Sequence, residues 1–424
     1  MAANLITPVL HPIDAVVAVP GSKSLANRAL VCAALADGTS TLSNCPDGDD
    51  TEAMLACLEL LGIGIGRDVI DTGTAVVSGS GGRLRPGPLQ LGTALAGTTS
   101  RFVTALAALG PGPYTIDGEP PLRARPMAPL HDALVALGAS VQATQGWGHL
   151  PVTVCGPLRT ADAIEVRGDV SSQFLTALML VGPYIAGGLR ITITSPLVSR
   201  PYLELTRGVM AAFGHDDVSI GVDRIAVGAG RYSACDYAIE PDATSAGYPL
   251  AAAAICGGRV EVPGLTIASM QGDSEFCDIL ATMGCISSRD GASTSVRSGS
   301  RLDGIDIDMV DHSDLVPTVA AVAAFAAGPT RIRGVGFIRA KESDRLGDLC
   351  HEMRRLGASA TETDDGLTIE PAELHGSSVD THHDHRLAMS FGLIGLRVDG
   401  VEIDDPAVVS KSWPGYWDML RRLR

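Results

Sequence analysis

The feature that most limits how this chain can fold is a sequence pattern that recurs six times. One helix-like apolar segment ends in glycine in five copies, in steps of 76, 76, 70 and 73 residues, at Gly62, Gly138, Gly214, Gly284 and Gly357. A second, more apolar segment alternates with it and starts at Ser24, Thr98, Ser171, Thr244, Ser313 and His383. Such regular spacing indicates repeated supersecondary units, each larger than a solenoid repeat. We therefore predict six units, each with two helices and several short strands.

The stretches between the helix segments resemble short strands. Residues 189–194 read Leu-Arg-Ile-Thr-Ile-Thr and residues 305–308 read Ile-Asp-Ile-Asp, which is the alternation of a half-buried strand. At 424 residues the chain is long enough for two or three domains, each with its own core. The predicted fold class is therefore α/β.

The charge balance limits the partners of this chain. Its 32 basic and 48 acidic side chains give a net charge of −16, whereas nucleic acids and anionic membranes require a basic face. No uninterrupted apolar run reaches 18 residues, and the first twenty residues lack the pattern of a secretory leader. Nine cysteines without a Cys-x-x-Cys pair are typical of reduced thiols. We expect a cytoplasmic protein that binds neither nucleic acid nor membrane.

Only three of the 32 basic residues are lysine, namely Lys23, Lys341 and Lys411. Each follows a serine or an alanine, so that a ligand can approach it closely. Lysine is a compact point charge whose pKa can shift far enough to move protons, which arginine does not offer. The three lysines are therefore candidates for a functional site, and the alternative is that they are ordinary surface residues.

Cations recur at the starts of the second helix series. Lys23 and Arg28 accompany the first copy, Arg101 the second and Arg386 the sixth, although positive charge opposes the helix dipole at that end. Most copies also begin with Ser, Thr or Asp, which are good N-caps. Helix N-termini with added cations form anion sites. We therefore predict a basic cleft for anionic small molecules, and the alternative is that the caps only stabilise their own helices.

Six short motifs occur in order at the positions that the repeat marks. They are Pro20-Gly21-Ser22-Lys23-Ser24 with Asn27-Arg28-Ala29, Leu95-Ala96-Gly97-Thr98, Arg125-Pro126, Ser171-Ser172-Gln173-Phe174-Leu175, Lys341-Glu342-Ser343-Asp344-Arg345 and Asp384-His385-Arg386. With this set, which covers nearly the whole chain, the protein resembles the 5-enolpyruvylshikimate-3-phosphate synthase family. A P-loop is excluded because Gly-Ser-Lys-Ser lacks the longer glycine frame that wraps phosphates.

The resemblance implies a two-domain enolpyruvyl transferase-like fold of βαβαββ-type units, three per domain around pseudo-threefold axes. We expect one domain at residues 22–240 and the other at residues 1–21 plus 241–424, with the active site in the cleft between them. The implied reaction transfers the enolpyruvyl group of phosphoenolpyruvate to the 5-hydroxyl of shikimate 3-phosphate, without a metal or organic cofactor. It also implies a monomer and competitive inhibition by glyphosate.

The resemblance assigns roles in proton transfer. Protonating the enol methylene needs an acid, and activating the hydroxyl needs a base. Asp314 matches the base and Glu342 the acid, and Lys23 shares the proton work. The alternatives are that Asp314 is an ordinary helix cap and Glu342 an exposed surface acid.

The resemblance also assigns residues that bind the substrates, for which arginine forks and lysine charges are suited. The residues that match phosphoenolpyruvate contacts are Lys23, Gly97, Arg125, Gln173, Arg345, Arg386 and Lys411. The residues that match shikimate 3-phosphate contacts are Lys23, Ser24, Arg28, Ser171, Ser172, Gln173, Ser199, Tyr202, Asp314 and Lys341.

Two positions depart from the family pattern. Leu95 and Phe337 stand where the family often has asparagine, and neither can replace the hydrogen bonds of an amide. The histidines of residues 382–385 suggest a metal site, but a helix start beside Arg386 explains them better.

Two other functions remain open from the sequence. The related transferase that acts on UDP-N-acetylglucosamine usually has a reactive cysteine in the loop that corresponds to residues 123–126, and this chain has none there. A non-catalytic anion-binding protein of the same fold would be free to lose Asp314 or Glu342, and both are present.

Overall fold

The sequence repeat folds into small sheets that share one plan. The computed structural model describes residues 3–68, 72–159 and 163–424. These residues form six sheets, each with a parallel strand pair at one side and antiparallel pairing beyond it. Five of the sheets have four strands and one has three. The predicted α/β class and the six repeated units are confirmed.

The chain divides into two units, each with its own apolar core and three of the sheets. We call Gly21–Ile239 the central unit, and Met1–Pro20 together with Glu240–Arg424 the terminal unit. Strands β1 and β2 at the start of the chain pair with strands that follow residue 240, which makes the terminal unit discontinuous in sequence.

The elements follow one another in the order of the repeat. The helices are α1 Lys23–Leu35, α2 Asp49–Leu60, α3 Gly97–Ala107, α4 Pro120–Arg123, α5 Ala128–Ala136, α6 Ser172–Val181, α7 Pro201–Ala212, α8 Ala243–Cys256, α9 Phe276–Thr282, α10 Val316–Ala323, α11 Gly347–Arg355, α12 His385–Ile394 and α13 Tyr416–Arg422. Short 3-10 turns are Gly182–Tyr184, Gly272–Glu275, Ser313–Leu315, Gly336–Ala340 and Pro406–Lys411. The strands are β1 Asn4–Leu5, β2 Ile13–Val16, β3 Thr39–Ser43, β4 Gly64–Asp68, β5 Thr74–Ser78, β6 Leu89–Gly92, β7 Tyr114–Asp117, β8 Ser140–Ala143, β9 Val152–Cys155, β10 Ile164–Val166, β11 Leu189–Ile193, β12 Val218–Ile220, β13 Arg224–Val227, β14 Asp236–Ala238, β15 Gly258–Pro263, β16 Ile286–Arg289, β17 Ser293–Arg297, β18 Asp306–Asp308, β19 Thr330–Arg333, β20 Ser359–Thr363, β21 Gly366–Glu370, β22 Ser378–Val379 and β23 Glu402–Ile403.

The more apolar helix series forms the core of each unit. In the central unit α1, α3 and α6 contact one another, and in the terminal unit α8, α10 and α12 do the same. In α1 every residue from Leu25 to Leu35 is buried, which explains why this series is apolar on all sides. The N-terminal ends of these six core helices are where most of the predicted site residues lie.

The helices of the first, less apolar series are followed by the glycines from which the repeat was recognised. Gly62 follows α2 with a φ of 94°, and its four counterparts have φ values between 81° and 99°. Only glycine adopts this left-handed conformation without strain, and it is the usual residue just after a helix. The repeat was therefore visible in the sequence because each of these helices needs the same terminator.

Three core helices begin earlier than the sequence analysis placed them. The side chains of Ser22 and Asp242 accept backbone N–H bonds and cap α1 and α8. Ser24, Thr98 and Thr244, which we predicted at the helix starts, lie inside the first turns of α1, α3 and α8. The predicted starts are each one residue too late, because an extended residue further upstream serves as the cap. Among the described residues, no helix is long and apolar enough to cross a membrane.

Candidate active site

Lys23 is the first residue of α1 and forms a partly buried ion pair. Its Nζ donates to Oδ2 of Asp50 at 2.8 Å, and the two side chains are 15% and 4% exposed. Asp50 lies in the first turn of α2, where a negative charge is favoured by the helix dipole. Asp50 is not among the predicted site residues, although two consecutive aspartates after Gly48 signal a helix start. Lys23 is therefore a fixed cation and not a mobile surface lysine.

Arg28 is a buried cation whose hydrogen bonds within the described residues go to hydroxyls and backbone carbonyls. It donates to Oγ1 of Thr206 at 2.9 Å and of Thr176 at 3.4 Å, and to the carbonyls of Ser24 at 2.7 Å and Tyr202 at 3.3 Å. The side chain is 2% exposed, and this burial lowers its pKa to about 10. In the described part of the chain no acidic residue offsets its charge. Arg28 thus supplies positive potential, while most of its donors bind the protein itself.

The guanidinium of Arg125 lies directly against Gly97, the first residue of α3. A Cβ at Gly97 would stand 2.4 Å from Nη1 of Arg125, so that any larger residue here displaces the end of the Arg125 side chain. Arg101 donates to the carbonyls of Gly97 and Pro126, each at 3.1 Å, and so joins α3 to the loop that carries Arg125. The close approach that Gly97 permits is therefore made by the buried Arg125 side chain.

Polar residues occupy the starts of α6 and α7. Ser171 caps α6 by accepting from the backbone N–H of Gln173 at 3.3 Å, as the repeat predicted. Nε2 of Gln173 donates to Oγ1 of Thr98 at 3.2 Å and links α6 to α3. Ser199 is buried before α7 with a left-handed φ of 55°, a strained conformation that clusters at functional sites. Since α1, α3, α6 and α7 pack together, the central unit gathers at their starts Lys23, Ser24, Gly97, Ser171, Ser172, Gln173, Ser199 and Tyr202.

Arg345 is the centre of a buried network in the terminal unit. Its side chain is 1% exposed, and Nε donates to Oδ2 of Asp384 at 2.6 Å. Nη1 donates to Oδ1 of Asp314 at 3.0 Å, and Nη2 donates to Oε2 of Glu342 at 2.7 Å and to Oδ1 of Asp384 at 3.2 Å. The three carboxylates raise the pKa of Arg345 further despite its burial. Arg345 is thus a residue that positions the predicted base and acid.

Asp314 is surrounded by cations. Its carboxylate lies 2.8 Å from Nη2 of Arg386, 3.0 Å from Nη1 of Arg345 and 3.6 Å from Nζ of Lys341. Burial alone would raise the pKa of Asp314, but Arg386, Lys341 and Arg345 outweigh it and hold the pKa well below its usual range. Asp314 is therefore ionised, and its negative charge is shared by three cations.

The start of α12 supplies the other part of this network. Asp384 caps the helix by accepting from the backbone N–H of Arg386 at 2.8 Å, and its side chain is fully buried. Asp384 belongs to one of the six motifs but is not among the predicted site residues. Lys411 ends the 3-10 turn that packs on α12 and is 6% exposed. The structure therefore brings together Asp314, Lys341, Glu342, Arg345 and Arg386 and places Lys411 beside their supporting helix.

The two residues that depart from the family pattern both pack on apolar cores. Leu95 contacts the core of the central unit, and Phe337 that of the terminal unit. The ring of Phe337 also lies 6.0 Å from Nζ of Lys341, at the limit of a cation–π contact. Phe337 thus places an aromatic face beside a lysine of the site.

A further carboxylate beside Asp314 was missed by the sequence analysis. Asp273 lies in the turn Gly272–Glu275, is 5% exposed and accepts from Oγ1 of Thr244 at 2.5 Å. Burial and the charge of Asp314 raise the pKa of Asp273 to about 6. The only signal in the sequence is its place at a turn just before the fourth helix of the first series.

The histidines and cysteines have other surroundings. Nε2 of His382 lies 3.2 Å from Oε1 of the buried Glu352. All nine cysteines are free, and burial raises the pKa of Cys45, Cys57 and Cys256 to about 12. Within residues 3–68, 72–159 and 163–424, no three His, Cys, Asp or Glu side chains are grouped so as to hold a metal ion.

Comparison with known proteins gives matches over nearly the whole chain. A protein-family model described as EPSP synthase (3-phosphoshikimate 1-carboxyvinyltransferase) matches residues 9–420. A relative from Nostoc punctiforme, named 3-phosphoshikimate 1-carboxyvinyltransferase, is 42% identical over 414 residues, which cover 97% of this chain and 96% of the relative. A relative of the same name from Methanoculleus marisnigri is 42% identical over 411 residues and covers 96% of each chain.

Solved structures share the fold. EPSP synthase from Acinetobacter baumannii has a TM-score of 0.81 and 26% sequence identity, covering 99% of this chain and 97% of that one. The enolpyruvyl transferase NikO from Streptomyces tendae has a TM-score of 0.78 at 18% identity, covering 99% and 96%. The named relatives favour the shikimate enzyme over the UDP-sugar enzyme and over a binding protein.

Proposed function

This chain belongs to the EPSP synthase family and is a transferase, and from that premise we propose that it moves the enolpyruvyl group of phosphoenolpyruvate to the 5-hydroxyl of shikimate 3-phosphate. Phosphate is the second product. The reaction is a step of the shikimate pathway towards chorismate and the aromatic amino acids. The observation that carries this proposal is the carboxylate of Asp314 held among Arg386, Arg345 and Lys341, because the same cations suit anionic substrates.

The central unit supplies groups for shikimate 3-phosphate. Arg28 carries a buried charge that no described carboxylate offsets, and the start of α6 presents backbone N–H groups and the serine hydroxyls of Ser171 and Ser172. A phosphate or carboxylate group bound at the start of α6 neutralises the positive charge of Arg28. Gln173 and Tyr202 border the same helix starts and suit the sugar-like hydroxyls.

The terminal unit supplies the base and the acid. Asp314 accepts the proton of the 5-hydroxyl while that oxygen attacks C2 of phosphoenolpyruvate, and Glu342 gives a proton to the C3 methylene. The product of this addition is a tetrahedral intermediate that keeps its phosphate. In the elimination a proton returns from C3 to Glu342, the C–O bond to phosphate breaks, and the leaving phosphate takes the proton from Asp314.

Anion binding prepares Asp314 for this role. Before binding, Arg386 and Lys341 hold its pKa so low that it is a weak base. A phosphate or carboxylate that engages Arg386 and Lys411 brings negative charge close to Asp314 and raises its proton affinity. The base therefore becomes effective only when phosphoenolpyruvate is in place, which limits unproductive proton transfer.

The groups of both units must act on the same two substrates. We infer a cleft between the domains that closes around ligand, with hinges near Gly21 and Glu240. We further propose that the enzyme acts as a monomer in the cytoplasm, where its nine free thiols remain reduced.

Replacing Asp314 by asparagine tests the proposal. The variant retains the size of the side chain but cannot accept a proton, so that kcat falls by about 100-fold or more. KM for phosphoenolpyruvate stays equal or falls, because Arg386 loses a competing carboxylate. Asp306→Asn, at an exposed surface pair with Arg333, is the matched control and retains full turnover. Normal kcat in Asp314→Asn contradicts the assignment.

A further inference from the structure

Asp273 has the surroundings of a working carboxyl group, although neither the six motifs nor the proposed reaction uses it. It is 5% exposed and accepts a hydrogen bond from Thr244 in the first turn of α8. Among the described residues no basic side chain forms a salt bridge with it, whereas Asp314 contacts three cations. A buried carboxylate without a cation is costly unless it can take up a proton.

The packing places Asp273 and Asp314 on the same part of α8. A Cβ at Gly247, one turn after Thr244, would lie 3.2 Å from Cδ2 of Leu315 and 3.5 Å from Cδ1 of Phe276. Leu315 directly follows Asp314, and Phe276 directly follows the turn that contains Asp273. The two acidic turns therefore pack side by side on α8, close enough for their charges to repel each other.

We propose that Asp273 is a second, proton-holding carboxyl of this site, which takes up a proton from solvent when an anion binds at Arg386. The inference rests on the proposed function and adds a positioning residue to it. In a pair of interacting carboxyls the proton resides on the group whose surroundings disfavour its charge, and the other stays ionised. Protonated Asp273 removes a like charge beside Asp314, which remains the empty proton acceptor for the reaction.

The charges around the two carboxyl groups favour a proton on Asp273 and an ionised Asp314. Burial and Asp314 raise the pKa of Asp273 to about 6, while the Thr244 hydrogen bond, Arg386 and His312 lower it. An anion on Arg386 weakens one of the lowering influences and adds repulsion. The other ionisable side chains nearby are Glu275 in its own turn, Asp242 at the cap of α8, Tyr248 and Cys256 on α8, Cys277 and Asp278 on α9, and Arg289, which donates to Ser274 of the turn.

Calorimetry tests the inference by counting protons. Phosphoenolpyruvate alone, which cannot turn over without an acceptor, is titrated into the full-length protein at pH 7 in buffers of different ionisation enthalpy. A rise of one unit in the pKa of Asp273, from about 6 to about 7, corresponds to an uptake of about 0.4 proton. Asp273→Asn is expected to lose this uptake. Asp278→Asn, an exposed carboxylate on α9, is the matched control and retains it.

Thr244→Val is the second variant, since it keeps the carboxyl but removes the bond that favours its charged form. We expect its uptake per phosphoenolpyruvate to peak at a higher pH than in the wild type. Proton counts that are equal in wild type and Asp273→Asn, with an unchanged profile in Thr244→Val, overturn the inference. Any proton that the phosphate of phosphoenolpyruvate itself takes up is counted equally in the wild type and in the variants, so it cancels when their proton counts are compared. Failure of the proposed function is seen separately, as absence of wild-type turnover with shikimate 3-phosphate.

Discussion

Replacing Arg345 by methionine tests how the acid and base of the terminal unit are held. Methionine fills a similar volume but carries no charge, so the change isolates the ionic network. In the structure Arg345 donates to Asp384, Asp314 and Glu342, which are 0%, 18% and 16% exposed. The variant therefore leaves three carboxylates close together in a largely buried place.

The solvent exposure of the ion-pair partners determines how much stability each substitution costs. Removing one member of a buried ion pair costs about 3–5 kcal/mol, because the remaining charge is uncompensated. The matched control is Arg333→Met, which breaks the pair with Asp306 at the surface, where the side chains are 43% and 54% exposed. A pair of that kind contributes about 0–1 kcal/mol. We therefore expect the free energy of unfolding of Arg345→Met to be about 2–5 kcal/mol lower than that of the control.

Urea unfolding followed by tryptophan fluorescence measures this difference. A Trp147→Phe background removes the one tryptophan of the central unit, so that Trp413 and Trp417 report the terminal unit. The surrounding cations depress the pKa of Asp314, so its contribution to stability is present above its unfolded pKa, near 4, and is lost as pH falls below it. The difference between the variants should therefore shrink in acid. Equal stability of Arg345→Met and Arg333→Met at pH 7 refutes the reasoning.

Three further predictions concern other parts of the molecule. His131 is fully buried, and burial lowers its pKa to about 4. The free energy of unfolding should therefore fall by about 3 kcal/mol as the pH drops from about 6.5 to about 4. Urea unfolding at several pH values should show that His131→Gln lacks this pH dependence. Gly97→Ala places a methyl group 2.4 Å from Nη1 of Arg125 and should raise KM for phosphoenolpyruvate more than it lowers kcat. Values of KM and kcat equal to those of the wild type would contradict a role for the contact between Gly97 and Arg125. Lys23→Ala and Glu342→Ala should each lower kcat by about 100-fold or more in a phosphate-release assay, and normal rates in both would reject their roles.

The fold was largely readable from the sequence because its signals are local. The glycine after α2, Gly62, and its counterparts mark helix ends through a backbone conformation that other residues avoid. The core helices were visible because they are apolar on all sides, which is what burial among two neighbouring helices requires. Exact helix starts were less accessible, since Ser22 and Ser24 are equally good caps by composition and only the backbone distinguishes them.

The site was only partly readable, because its connections are long-range. A local motif contains Arg345, and the family resemblance assigns Asp314, but the hydrogen bond that joins these two residues spans 31 positions of the chain and is not visible in either. Asp50 and Asp273 carry no motif and become conspicuous only when burial puts them beside Lys23 and Asp314. The contact of Arg125 with Gly97 likewise depends on how the loop after α4 packs on α3.

The most direct test of the central claim is phosphate release from phosphoenolpyruvate by the purified protein. Three reactions are compared: with shikimate 3-phosphate, with UDP-N-acetylglucosamine, and with neither. We predict release only with shikimate 3-phosphate. Release with the UDP-sugar, or none in any reaction by a protein whose circular dichroism shows it to be folded, would contradict the account.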